Sequence, residues 1–73
     1  MAVVFAGEKL LAIRKEQNYT QAKLAEAADT TIRYLRDIEK GKKRNPSAAV
    51  VCRLCAALNV PMEFLMRDEG ESI

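Results

Sequence analysis

The sequence predicts an all-α fold, a compact five-helix domain, on three observations. Apolar residues recur at helical spacing along most of the chain, no segment sustains strand alternation, and short breakers separate the periodic segments. The 73 residues, 49% of them hydrophobic, fit one domain over 1–73, with a core from about residue 8 to 66 and a short acidic tail over 67–73. A chain this short buries only about 60% of the surface it exposes when unfolded, so a large catalytic cleft is not expected. The apolar content, with few Gly and Pro, argues for a packed globule, because burial can offset the entropy of ordering.

The first helix is predicted over Gly7 to Gln17, with Leu10, Leu11 and Ile13 as its apolar stripe and Asn18 as a left-handed stop. Thr20 reads as the N-cap of a second helix, about two turns long, that ends near Ala28 and turns Leu24, Ala25 and Ala28 inward. Asp29, Thr30 and Thr31 read as a tight turn, since Asp tolerates unusual backbone angles and Thr caps a following helix. The third helix starts at Thr31 or Ile32 and runs to about Lys40, where Gly41 stops it. A basic loop from Lys42 to Asn45 precedes Pro46, which can begin a helix but not extend an incoming one. Asn45 or Ser47 caps the fourth helix, Ser47 to Leu58, whose Val50, Val51, Leu54 and Leu58 keep helical spacing until Asn59 offers another left-handed stop. A fifth, short helix is predicted from Pro61 to about Arg67.

Several function classes find no support in composition. The chain has no histidine and two cysteines, so a four-ligand zinc site would need carboxylates to complete it. The spacing of Cys52 and Cys55 is that of a redox pair, but such pairs sit at helix N-termini, where the dipole lowers the thiol pKa, and this one lies mid-helix. We read both as small buried side chains and expect no metal and no cofactor. Without a glycine-rich phosphate loop or carboxylates at acid-base spacing, neither an enzyme nor a small-molecule substrate is expected. The segment Ala2 to Ala6 is too short for the apolar core of a signal peptide and no basic stretch precedes it. No run is long enough to span a bilayer, so a cytoplasmic protein without a membrane partner is expected.

Net charge is only +2, but its distribution is uneven. Residues 33 to 44 carry Arg33, Arg36, Lys40, Lys42, Lys43 and Arg44 against Asp37 and Glu39, a net of +4, while the end of the chain from Glu63 is acidic. Rotating the third helix by roughly 100° per residue places Leu35 and Ile38 together on the core side and turns Arg33, Arg36, Asp37 and Lys40 outward. A helix with one apolar edge and a face of long donors suits the major groove, because Arg bonds guanine bidentately and Lys reaches phosphate. The same pattern also suits any solvated surface helix. The preceding helix favours the first reading, since two helices joined steeply by three residues approach closely only through a small contact residue, and Ala25 meets that need. Orphan amides near Thr20 and Gln21, with the Gln21 side chain as a further donor, form a natural phosphate site.

Thr20-Gln21-Ala22-Lys23-Leu24-Ala25, then Leu35, then Ile38-Glu39-Lys40-Gly41, and finally Pro46 resemble the Xre/Cro-type helix-turn-helix domains of phage repressors and bacterial regulators. The resemblance covers about residues 8 to 66, with the motif itself from about Gln21 to Lys40 in the second and third helices. It implies a five-helix domain, sequence-specific binding to double-stranded DNA, usually as a homodimer on a two-fold operator, and most often repression. It further implies that Ile32 and Arg33, after the capping Thr31, and the later Arg36 and Asp37, approach base edges or nearby phosphates. Arg14 and Glu39 occupy positions that in this family commonly form a partly buried ion pair. The sequence departs from the pattern at Asp29, where Gly is typical, and at Thr30, where Val or Ile is usual. Ile32, apolar at a base-facing position, either touches a thymine methyl or packs along the core edge.

Lys42, Lys43 and Arg44 read as phosphate contacts flanking the groove, or else as a solvated loop. The Tyr34 ring is expected to pack while its hydroxyl reaches a phosphate or water. Val3, Val4, Phe5, Met62, Phe64, Leu65 and Met66 exceed what the core needs; Phe64 and Leu65 are expected to close it, leaving Met62 and Met66 as dimer candidates. An adapter that keeps the fold for a protein partner, as an antitoxin does, is the rival reading; it would not need outward Arg33 and Arg36. Operator, regulated genes and biological system lie beyond what these residues specify.

Overall fold

The structure, a computed structural model, describes residues 3–43 and 45–68; Arg44 and the chain beyond residue 68 lie outside the described residues. In order, these form strand β1 (Val3–Phe5), helices α1 (Gly7–Glu16), α2 (Gln21–Ala27), α3 (Ile32–Glu39) and α4 (Ala48–Leu58), a 3₁₀ turn at Met62–Leu65 and strand β2 (Met66–Asp68).

Local chemistry sets the helix ends. The hydroxyls of Thr20, Thr31 and Ser47 accept from the amides of Lys23, Tyr34 and Val50, each satisfying an orphan donor of a first turn. Asn18, Asp29, Gly41 and Asn59 adopt positive φ at or just past the helix ends, with φ of 62°, 56°, 81° and 57°. The last carbonyls of α4 are met by side chains from the α1 end, Gln17 Nε2 donating to Leu58 O and the Tyr19 hydroxyl to Ala57 O.

The five-helix expectation is corrected at the end of the domain. After Pro61 only one tight turn forms, and at Met66 the backbone becomes extended, with φ −115° and ψ 160°. There Met66–Asp68 pairs antiparallel with Val3–Phe5, in the register Val3↔Asp68, Val4↔Arg67 and Phe5↔Met66. The described residues thus form four α-helices with a two-stranded sheet. β-Branched and aromatic residues at 3–5 favour a strand, but each strand is three residues long and its partner lies at the other end of the described chain, so no local period reveals the pairing. Arg67 and Asp68, assigned to an acidic tail, belong to β2; residues 69–73 of that tail lie outside the described residues.

Leu10, Leu24, Ala25, Ala28, Leu35, Ile38, Val50, Leu54, Leu58 and Leu65 form the core. Two burial expectations fail. Leu65 closes the core but Phe64 is 52% exposed, because the 3₁₀ turn aims neighbouring side chains apart. Cys52 is exposed and Cys55 half-buried, rather than both buried, because Val50, Val51, Leu54 and Leu58 define the inner face of α4.

Candidate nucleic-acid interface

Two short helices meet at a tight corner. Thr30 N donates to Ala25 O at 2.9 Å across the left-handed Asp29, and Ala25 and Ala28, both buried, let α2 and α3 approach. From α4, Arg53 Nε donates to Ala28 O at 2.7 Å and braces this corner from behind. Sequence reasoning passed over Arg53, although one guanidinium in an otherwise uncharged helix was a readable signal.

On α3, Leu35 and Ile38 are buried while Arg33 and Arg36 are exposed, as is Lys40 at its C-cap. Ile32 is 42% exposed, so it is not a core residue. Asp37 is half-buried, and its backbone carbonyl accepts from the amides of Lys42 and Lys43 at 2.9 and 3.2 Å, folding the basic loop back on the end of α3. Both lysines are exposed, and Lys43 Nζ stands 5.5 Å from the centre of the Tyr34 ring. The Tyr34 hydroxyl also serves the fold. It accepts from the Ser47 amide at 3.0 Å, tying α3 to the start of α4, because the loop returns past that ring.

Behind this face Glu39 holds a buried network. Its Oε2 accepts from Arg14 Nε at 2.6 Å, its Oε1 from Arg14 Nη2 at 3.2 Å and from Gln21 Nε2 at 3.0 Å. Arg14 Nη1 also donates to Tyr19 O at 2.8 Å. One carboxylate thus joins α1, the start of α2 and the end of α3. The electrostatic consequence is direct: Glu39 spends its charge on Arg14, so the exposed cations of α3 and the following loop are left with Asp37 as their acidic neighbour. Gln21, read as a phosphate donor, commits one amide hydrogen to Glu39, and Thr20 stays exposed beside it.

A second surface lies at the sheet. Val3, Phe5, Pro46, Val51, Met62 and Met66 line an apolar recess of about 230 Å³. Met62 and Val3 are exposed there, whereas Met66 is half-buried in β2. Among the described residues, no group of three or more His, Cys, Asp or Glu is placed to hold a metal ion, and no helix is long and apolar enough to cross a membrane.

A tight two-helix corner whose second helix turns a cationic face to solvent is a helix-turn-helix. The chain belongs to the helix-turn-helix family, matching it over residues 10–65, and is of the Xre/Cro type. It is 32% identical over 65 residues to the transcriptional regulator ClgR of Mycobacterium tuberculosis, covering 89% of this chain and 57% of that protein. It is 36% identical over 63 residues to the immunity repressor protein of Bacillus phage phi105, covering 86% and 43%. The crystal structure of SinR, the master regulator for biofilm formation, in complex with DNA matches with a TM-score of 0.77 at 34% identity, over 81% of this chain and 97% of that one. The chain spans about half the length of the curated relatives it matches.

Proposed function

We propose that this protein is a sequence-specific DNA-binding transcriptional regulator, a cytoplasmic repressor that acts as a homodimer with α3 in the major groove. The observation that carries the reading is that Arg33 and Arg36, with Lys40 at the C-cap, are exposed on a helix whose opposite edge, Leu35 and Ile38, is fully buried. The names of the relatives support it, as two are a transcriptional regulator and an immunity repressor and the SinR structure contains DNA. The family is one of regulators, not an enzyme class.

In this reading Arg33 and Arg36 donate to guanine edges, Asp37 accepts from a cytosine amino group, and Ile32 meets a thymine methyl. Thr20, Gln21, Thr31, Lys40, Lys42, Lys43 and Arg44 contact the phosphate backbone and set the register of the helix. The apolar recess with Met62 and Met66 serves the second protomer. Selecting bound sites from a random duplex pool tests all of this together. The expected result is a two-fold site whose half-sites lie about 34 Å apart, one DNA turn. Affinity should fall with salt at a slope near −0.9 per neutralised phosphate. Recovery of no preferred sequence, or a flat salt response, would refute the reading.

A further inference from the structure

We propose that Cys52, on the outer face of α4, and Cys55, at the edge where that helix meets the core, form a two-thiol chelate for a soft, low-coordinate, thiophilic cation of the Cu(I) class. The inference does not depend on DNA binding. The two thiols stand three residues apart on one helix, so their Cβ atoms are neighbours about 5–6 Å apart. Cys52 is exposed, Cys55 is half-buried, and both are free.

Nothing bulky covers the pair from its own helix. The outward positions beside it are Ala48, Ala49 and Ala56, all exposed, and the intervening Arg53 is drawn to the Ala28 carbonyl. A disulfide is a poor alternative, because it needs Cβ atoms about 3.5–4.5 Å apart, closer than one helical turn places them.

The donor set selects the ion. The chain has no histidine, and among the described residues no third ligand joins the two thiols. Zinc in a structural site takes four ligands, whereas thiolates alone suit soft Cu(I). Binding releases two protons as two S–H bonds are exchanged for two Cu–S bonds. Copper stays in the +1 state, and the bis-thiolate complex carries one negative charge.

The test titrates the reduced full chain with Cu(I), without oxygen, against a coloured Cu(I) chelator. One ion per chain is expected, with affinity falling on the order of 100-fold in both Cys52→Ala and Cys55→Ala, since each loses one arm of a chelate. Unchanged affinity in either variant overturns the proposal, as does a stoichiometry of one ion per two chains, which would mean bridging between molecules. Cys52 is exposed, so Cys52→Ala alone decides the test should Cys55→Ala unfold. Phenylarsine oxide, which joins two thiols through two As–S bonds and releases water, is a second probe. It should consume both thiols of the folded wild type; a folded wild type that retains two free thiols also overturns the chelate.

Discussion

Glu39 shows how one side chain can organise a site it does not face. Its three bonds, two to Arg14 and one to Gln21, leave no buried polar side-chain atom without a partner among the described residues. Removing one member strands the other in low dielectric, which costs about 3–5 kcal/mol. Against a total of about 5–15 kcal/mol for a native domain, that is a large share. We therefore expect Arg14→Ala to lower the urea midpoint sharply, whereas the paired replacement Arg14→Met with Glu39→Leu should recover most of the loss. Gly7 makes a different demand. A Cβ there would lie 2.1 Å from the Ile38 carbonyl oxygen, which is backbone and cannot turn aside. Gly7→Ala should destabilise by about 1–3 kcal/mol or more, as overpacking does. A thermal midpoint equal to wild type would show that α1 and α3 have room to separate.

For α3 as an element, the test of assignment is how losses distribute over DNA sequences. Arg33→Ala should cost about 1–3 kcal/mol on the preferred site and relax base preference at one position. Lys43→Ala should weaken every sequence alike and reduce the salt slope by about one. Equal losses on all sequences for both variants would mean that α3 does not read bases. The Lys43 ammonium also stands over the Tyr34 ring, so Lys43→Gln and Tyr34→Phe are compared in parallel. Tyr34→Phe loses only the hydroxyl that accepts from Ser47, and its effect should fall on stability and not on base preference.

In the whole molecule, the ends of the described chain are joined. Besides the strand pairing, Arg67 Nη1 donates to Glu8 Oε2, and Lys9 Nζ donates to Met66 O at 2.7 Å. The Glu8 carboxyl is held below its ordinary pKa, first by a backbone hydrogen bond at its own position in the first turn of α1, then by the Arg67 guanidinium, against an opposing effect of burial. The sign follows from linkage: a lowered folded-state pKa gives stability that is present above the unfolded carboxylate pKa and lost as pH falls through the folded one. Wild type and Glu8→Gln should therefore differ at neutral pH and converge in acid. The difference should be small, because the pair is well exposed. A gap that persists unchanged below the carboxylate range would show that Glu8 acts by packing and not by charge.

The helices, their caps and the left-handed stops were legible in the sequence because each is decided within a few residues. Thr20, Thr31 and Ser47 satisfy amides three positions on, and Asn18, Asp29 and Asn59 need only their own backbone freedom. The outward cations of α3 followed equally from helical period once Leu35 and Ile38 fixed the inner edge. The strand pair, the brace from Arg53 to Ala28, the turn of Phe64 to solvent and the capture of the Tyr34 hydroxyl by Ser47 did not follow. Each joins residues far apart in the chain or depends on which way a 3₁₀ turn aims a side chain, and neither leaves a periodic trace. Local hydrogen bonding and hydrophobic spacing determined the helix-turn-helix; only tertiary packing decided how its corner is braced and how the two ends of the described chain are closed.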